Sequence, residues 1–246
     1  MNPKSLLLVV SLLISCWTTH AEEPDWSSYK TVLSHVKPGM KNGVALILVD
    51  YPAIKADGSL TRAYKELAAV NLEKLVSQEE KLAFYINAYN ILALKMVADH
   101  WPLESIKDVG NLFSPVWDKP AGELGGKSVS LGEVEHKILR PMGEPRIHLA
   151  IVCASVSCPD LRNEPYTAVK LGQQLDDQAR SFLGNSAKGL RIEKDSIRVS
   201  QIFDWFEKDF LVQGGVKAFI KHYKDDSTDL KLKADLPYDW AVNSLN

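Results

Sequence analysis

The chain has 246 residues, 46% of them hydrophobic and 24% charged, with 14 glycines and 12 prolines. This near-average globular composition excludes a disordered, collagenous or coiled-coil protein, and the length supports a sizeable core without disulfide staples. A formal charge of -2 offers no broad cationic field to a phosphate backbone, so nucleic acid is not an expected partner.

The first segment reads as a leader. Lys4 precedes an apolar run over residues 6–14, broken by Ser11, and small or polar residues follow up to Ala21. With Thr19 and Ala21 at the small-residue positions, this is a secretory signal peptide over residues 1–21, leaving residues 22–246 as one globular domain. Leu13-Ile14-Ser15-Cys16 supports an alternative, a lipoprotein signal ending at residue 15 with a lipid anchor on Cys16, although Trp17 is bulky for that role. Both readings place the mature protein outside the cytoplasm, periplasmic or secreted, or membrane-anchored through lipid. No later window is apolar enough for a membrane span.

Trp26, Tyr29, Val32, Leu33 and Val36 recur at helical spacing, and Pro38-Gly39 is expected to close that helix. Residues 44–49 form a short apolar run that suits a buried strand, Asp57-Gly58 marks a turn, and Leu60, Tyr64 and Leu67 continue as a helix. Ser77 and Glu80 form a capping box for a helix that is apolar around its circumference from 82 to 97 and must stop near Trp101-Pro102. Its strongly polar residues Asn87 and Asn90 share one face, where buried amides orient an imidazole, line a pocket or bind backbone turns.

Residues 111–122 read as an irregular connection, and 123–129, turning at Gly125-Gly126, as a hairpin. A second capping box, Ser130 with Glu133, opens a short helix that Pro141 ends. Residues 147–152 are the strongest buried-strand candidate, ending at Cys153. Residues 171–183 resume a helix that Gly184 closes, and 190–192 pair with 197–199 in a second hairpin. Ser200 caps an aromatic helix with Phe203, Phe206 and Phe210, residues 216–223 form another helix, and 238–242 are extended. The expected fold is α/β or α+β, a single mixed domain with a buried central helix, the short strand ending at Cys153 and two hairpins.

Residues 121–128 fit a permissive phosphate-loop pattern, but Lys127 and Ser128 enter a strand where that motif needs a helix N-terminus, so a hairpin turn is the better reading. The informative cluster runs from Glu133 to Cys158. Cys, His and Glu are the residue types of a thiol site: Cys158 as nucleophile, a nearby imidazole, His136 or His148, as base, and Glu135 or Glu133 to fix the imidazole. In an oxidising compartment Cys153 and Cys158 can instead form a structural or redox-active disulfide. His136 and His148 have a plainer reading as core imidazoles, and with Glu133 and a cysteine they offer a metal alternative that lacks paired-ligand spacing. Asp204 and Glu207 suit the dipole of their helix.

Four stretches carry a family likeness: Phe84-Tyr-Ile-Asn87-Ala-Tyr-Asn90, Leu131-Gly-Glu-Val-Glu135-His136-Lys-Ile-Leu-Arg140-Pro141, Arg146-Ile-His148-Leu-Ala-Ile-Val-Cys153-Ala-Ser-Val-Ser-Cys158-Pro159 and Ile202-Phe-Asp-Trp-Phe-Glu-Lys-Asp-Phe210. In this order they resemble the domain of unknown function 547 family over about residues 44–246. The resemblance implies that Asn87, Asn90, Glu135, His136, Arg140, His148, Cys153 and Cys158 occupy characteristic positions, and it favours Glu135 over Glu133 as the partner of His136. It implies either an enzyme or an interaction module, with bacterial members often exported. The expected site is therefore Cys158, His136 and Glu135 as a cysteine hydrolase or acyltransferase centre, with Asn87, Asn90, Arg140, His148 and Cys153 in support. No cofactor or metal is expected, and the ligand is a small molecule or peptide. The alternative is a non-catalytic envelope-binding domain with a Cys153–Cys158 bridge.

Overall fold

The computed structural model describes residues 24–224 and 230–245; the leader read over residues 1–21, with Cys16, lies outside them. Helix α1 (Ser27–Leu33) buries Tyr29, Val32 and Leu33. It ends sooner than its periodicity suggests, because Val36 already belongs to β1 (Val36–Lys41), which pairs antiparallel with β2 (Val44–Val49). Pro38 and Gly39 thus lie in an edge strand, where proline's missing N–H is tolerated. A Cβ on Gly39 would stand 2.5 Å from Leu48 Cδ1, so a larger residue there would make the Leu48 side chain shift. Helix α2 (Tyr51–Ala56) follows, and Gly58 in the left-handed region (φ 69°) turns the chain into α3 (Ser59–Ala69).

Helix α4 (Gln78–Asp99) is the central helix, and its capping box is complete: Ser77 Oγ accepts from Glu80 N–H at 3.1 Å, and Glu80 Oε2 accepts from Ser77 N–H at 2.9 Å. The larger of the core clusters packs around it. Asn87 and Asn90, both buried, act on backbone. Asn87 donates to Tyr166 C=O (2.8 Å) and accepts from Tyr166 N–H (2.9 Å), while Asn90 donates to Ala150 C=O (3.1 Å) and accepts from Val152 N–H (2.8 Å).

The expected strand ending at Cys153 is a 3-10 helix (Pro145–Leu149) followed by irregular chain. An apolar run alone does not separate a buried strand from other buried backbone. Here Pro145 sets the first turn, the Glu144 side chain accepts from Arg146 N–H at 3.0 Å, and the next backbone groups bond to Asn90 instead of a ladder.

Hairpin β3 (Pro120–Leu124) and β4 (Lys127–Ser130) turns on Gly125 and Gly126, both with positive φ. The Ser130–Glu133 capping box forms, but the helix it opens is a π-helix (Glu133–Leu139). After α5 (Leu171–Gly184), hairpin β5 (Leu190–Ile192) and β6 (Ser196–Ser200) gains a parallel neighbour in β7 (Lys231–Leu236). The aromatic helix is two pieces, α6 (Ile202–Trp205) and a 3-10 helix (Glu207–Gln213), and α7 (Val216–Tyr223) follows them. A second core cluster, including Phe203, Phe210 and Phe219, fills this half. The result is a mixed helix-and-strand domain with small separate sheets.

Ser77→Ala should cost about 1 kcal/mol, whereas Asn90→Ala, which strands a buried N–H and a buried C=O, should cost about 2 to 4 kcal/mol. Urea unfolding of the two variants checks this order.

Candidate functional site

The segment between the cysteines is pinned on three sides. Asn90 holds its entrance from α4, and the C-terminal chain laces its far side: Val156 N–H donates to Ala241 C=O (2.9 Å), Ser157 N–H to Asp239 C=O (3.1 Å) and Asn243 N–H to Ala154 C=O (3.1 Å). At its exit the buried Lys188 ammonium donates to Cys158 C=O (2.8 Å) and to Asp160 Oδ1 (2.7 Å). Cys153 and Cys158 are joined by a disulfide, with Ala154 inside the ring in the left-handed region (φ 59°), a strained conformation for a residue with a Cβ.

The disulfide borders a cavity of about 170 Å³ at the seam of the two core clusters. Glu135, His136 and His148 line it with Cys153 and Cys158, against aromatic walls of Tyr89, Trp117, Trp205, Phe206, Tyr238 and Trp240. The expected residues Cys158, His136 and Glu135 are therefore brought to one cavity, but in other partnerships. Arg140, not Glu135, holds the His136 ring, its guanidinium donating to Nδ1 at 3.2 Å. Because arginine only donates, Nδ1 accepts and the proton of neutral His136 sits on Nε2.

Asp209 organises the remainder. It accepts two hydrogen bonds from Arg140, Nε to Oδ2 at 2.6 Å and the second guanidinium nitrogen to Oδ1 at 2.9 Å. It also accepts from His148 Nε2 at 2.7 Å. His148 is stacked on Phe206 at 3.9 Å between centroids. Its other nitrogen, Nδ1, has no hydrogen-bond partner among the described residues and lies 3.9 Å from Glu135 Oε1.

Burial penalises charge on both partners of that last pair. It raises Glu135 from 4.5 to about 7, with the Asp209 charge adding to the rise while Arg140 and a hydrogen bond from Tyr89 oppose it. It lowers His148 from 6.5 to about 4 against the pull of Asp209. His136 is lowered too, by burial and then by Arg140. Burial works against ionised Asp209, but hydrogen bonds from Arg140 and His148 outweigh it and hold the carboxylate below its ordinary value.

Asn87, Asn90 and Arg140 do not line the cavity; Asn90 holds the backbone on either side of Ile151, Arg140 holds His136, and Asn87 holds Tyr166, which is not in the lining. Glu133 is spent on its cap and on Lys137 at 2.9 Å. Among the described residues no group of three or more His, Cys, Asp or Glu side chains is disposed to hold a metal ion. Sequence reasoning passed over Asp209, which lies in the fourth motif but meets residues 61 and 69 positions away. Asp204 and Glu207, singled out from the same motif, are exposed.

Fold and site define a mixed domain carrying a disulfide-bordered, aromatic-walled cavity with a carboxyl–imidazole pair. A family model described as "Protein of unknown function, DUF547" matches residues 73–183, and this part of the chain is a domain of that family. No curated protein and no solved structure matches the chain. The matched stretch contains both cysteines, Glu135 and both site histidines, whereas Asp209 and the Trp205, Phe206, Tyr238 and Trp240 walls lie beyond it.

The paired shifts make a signed prediction. Glu135, raised to about 7, contributes stability below 4.5 that is lost as pH rises through 7. His148, lowered to about 4, contributes stability above 6.5 that is lost as pH falls through 4. The two slopes oppose one another, and the loss tied to Asp209 lies below 3.8. Relative to wild type, Glu135→Gln should therefore gain stability as pH rises from 4.5 to 7, by about 3 kcal/mol across the window. Urea midpoints against pH test this, and a difference that does not change with pH contradicts it.

Proposed function

We propose that the protein is an exported domain performing general-base chemistry on a small carbonyl-bearing ligand in this cavity. The observation that carries the reading is a shared cavity: Glu135 and His136, adjacent residues of a π-helix, a fold feature common at functional sites, reach it as a buried carboxyl group and a neutral imidazole. With Nδ1 occupied by Arg140, His136 offers Nε2–H to the ligand oxygen. Glu135, with its affinity for a proton raised by burial, takes a proton from the ligand's α-carbon or from an attacking water. Nδ1 of His148 faces Glu135 Oε1 at 3.9 Å, and Asp209 fixes the tautomer that keeps Nδ1 bare, so no second proton competes with the one Glu135 takes up.

Charge narrows the ligand. Arg140 is paired with Asp209, both imidazoles are held neutral and no lysine or arginine among the described residues lines the cavity, so its lining offers an anion no cation. The ligand is neutral or cationic, with an apolar part against the aromatic walls. The nucleophile first assigned to Cys158 is not available while its sulfur is bonded to Cys153. Export rests on the leader over residues 1–21, and the disulfide suits an oxidising compartment.

Small ketones, esters and amides incubated with the oxidised protein, followed by NMR for deuterium uptake or hydrolysis, test this. Turnover should rise with pH through about 7, and Glu135→Gln should lose it at least about a hundredfold. Ligands that bind wild type and Glu135→Gln alike, without conversion, would reduce the cavity to a binding pocket and overturn the proposal.

A further inference from the structure

The two sulfurs of the disulfide are not equivalent. Cys158 is buried, only 3% exposed, whereas Cys153 is partly exposed, and both border the open cavity. Cys158 Sγ also accepts a hydrogen bond from Cys153 N–H at 2.9 Å, which would stabilise negative charge on that sulfur. Among the described residues Cys153 Sγ has longer contacts, to the hydroxyls of Ser155 at 3.4 Å and Tyr238 at 3.5 Å. Exchange at a disulfide follows access to the attacked sulfur and the stability of the departing thiolate, and here both factors select the same direction.

We propose that this disulfide is a thiol–disulfide exchange site, with Cys153 the sulfur that external thiols attack and Cys158 the leaving group. This inference does not depend on the general-base reading, because it uses neither Glu135 nor either imidazole. An incoming thiolate bonds to Cys153 Sγ, the Cys153–Cys158 bond breaks, and its electron pair goes to Cys158 Sγ, which takes a proton from solvent. The product is a mixed disulfide on Cys153 and a thiol on Cys158. A second thiol attacks the mixed disulfide and leaves as the oxidised reductant, so that two electrons enter the protein and both cysteines end as thiols. The reverse sequence, starting from a small disulfide, oxidises the pair.

The surroundings allow this cycle without unfolding. The ring closes over a sequence separation of 5 and constrains few residues. The Asn90, Lys188 and C-terminal contacts that hold the segment do not pass through the sulfur–sulfur bond. The aromatic walls beside the cavity suit a partner thiol carried on an apolar or peptide body.

Intact-mass and peptide mapping test the direction. Native protein treated briefly with glutathione and quenched with acid should carry the adduct on Cys153. Offered glutathione disulfide, Cys158→Ala, in which Cys153 is the sole thiol of the pair, should be modified at least about tenfold faster than Cys153→Ala. The wild-type mapping decides the matter if either variant fails to fold. Adducts on Cys158, equal rates in the two variants, or a bond that opens only in denaturant would overturn the proposal.

Discussion

One carboxylate holds the site together. Asp209 is brought in by the 3-10 helix that follows α6 and accepts two hydrogen bonds from Arg140 at the end of the π-helix and one from His148 in the next turn. A charge withdrawn from water is costly unless its acceptor sites are filled, and an arginine fork plus an imidazole N–H fill most of them. The same three bonds tie the 3-10 helix that carries Phe210 of the second core cluster to the chain that places His148 on the cavity wall. Without that carboxylate Arg140 would lose its main partner, and nothing among the described residues would fix the proton of His148.

The consequence is an unusual distribution of charge. The strongly charged pair, Arg140 and Asp209, cancels itself outside the cavity lining, while Glu135, His136 and His148, which line the cavity, are neutral or close to a proton's balance. A buried carboxyl group poised near neutrality beside neutral imidazole is suited to moving protons, not to gripping an anion. The disulfide lines the same space but belongs to a separately pinned segment. The proposed thiol exchange and the proposed proton transfer therefore call on different side chains of one cavity.

Much of the frame was legible in the chain because its signals are local. Ser77 with Glu80 and Ser130 with Glu133 announce their caps three residues ahead, and both boxes form. Gly125-Gly126 marks its hairpin and the run over residues 216–223 its helix. The family motifs pointed to the residues that border or support the cavity. What stayed hidden depends on distant partners. The run before Cys153 looked like a strand because its apolar side chains are buried, but its backbone is satisfied by Asn90 from another helix. Asp209 could not be told from Asp204 or Glu207 by spacing, since only the fold brings it to Arg140 and His148. Trp117, Tyr238 and Trp240 carry no local pattern that marks them, and they meet at the cavity only because the chain end returns past the cysteines.

The tautomer and charge of His148 test the account most directly. In protein labelled with ¹⁵N at histidine, His148 should show a protonated Nε2 and a bare Nδ1 and should stay neutral until pH falls to about 4. A proton on Nδ1, or an imidazole already charged near its ordinary value of 6.5, would contradict it.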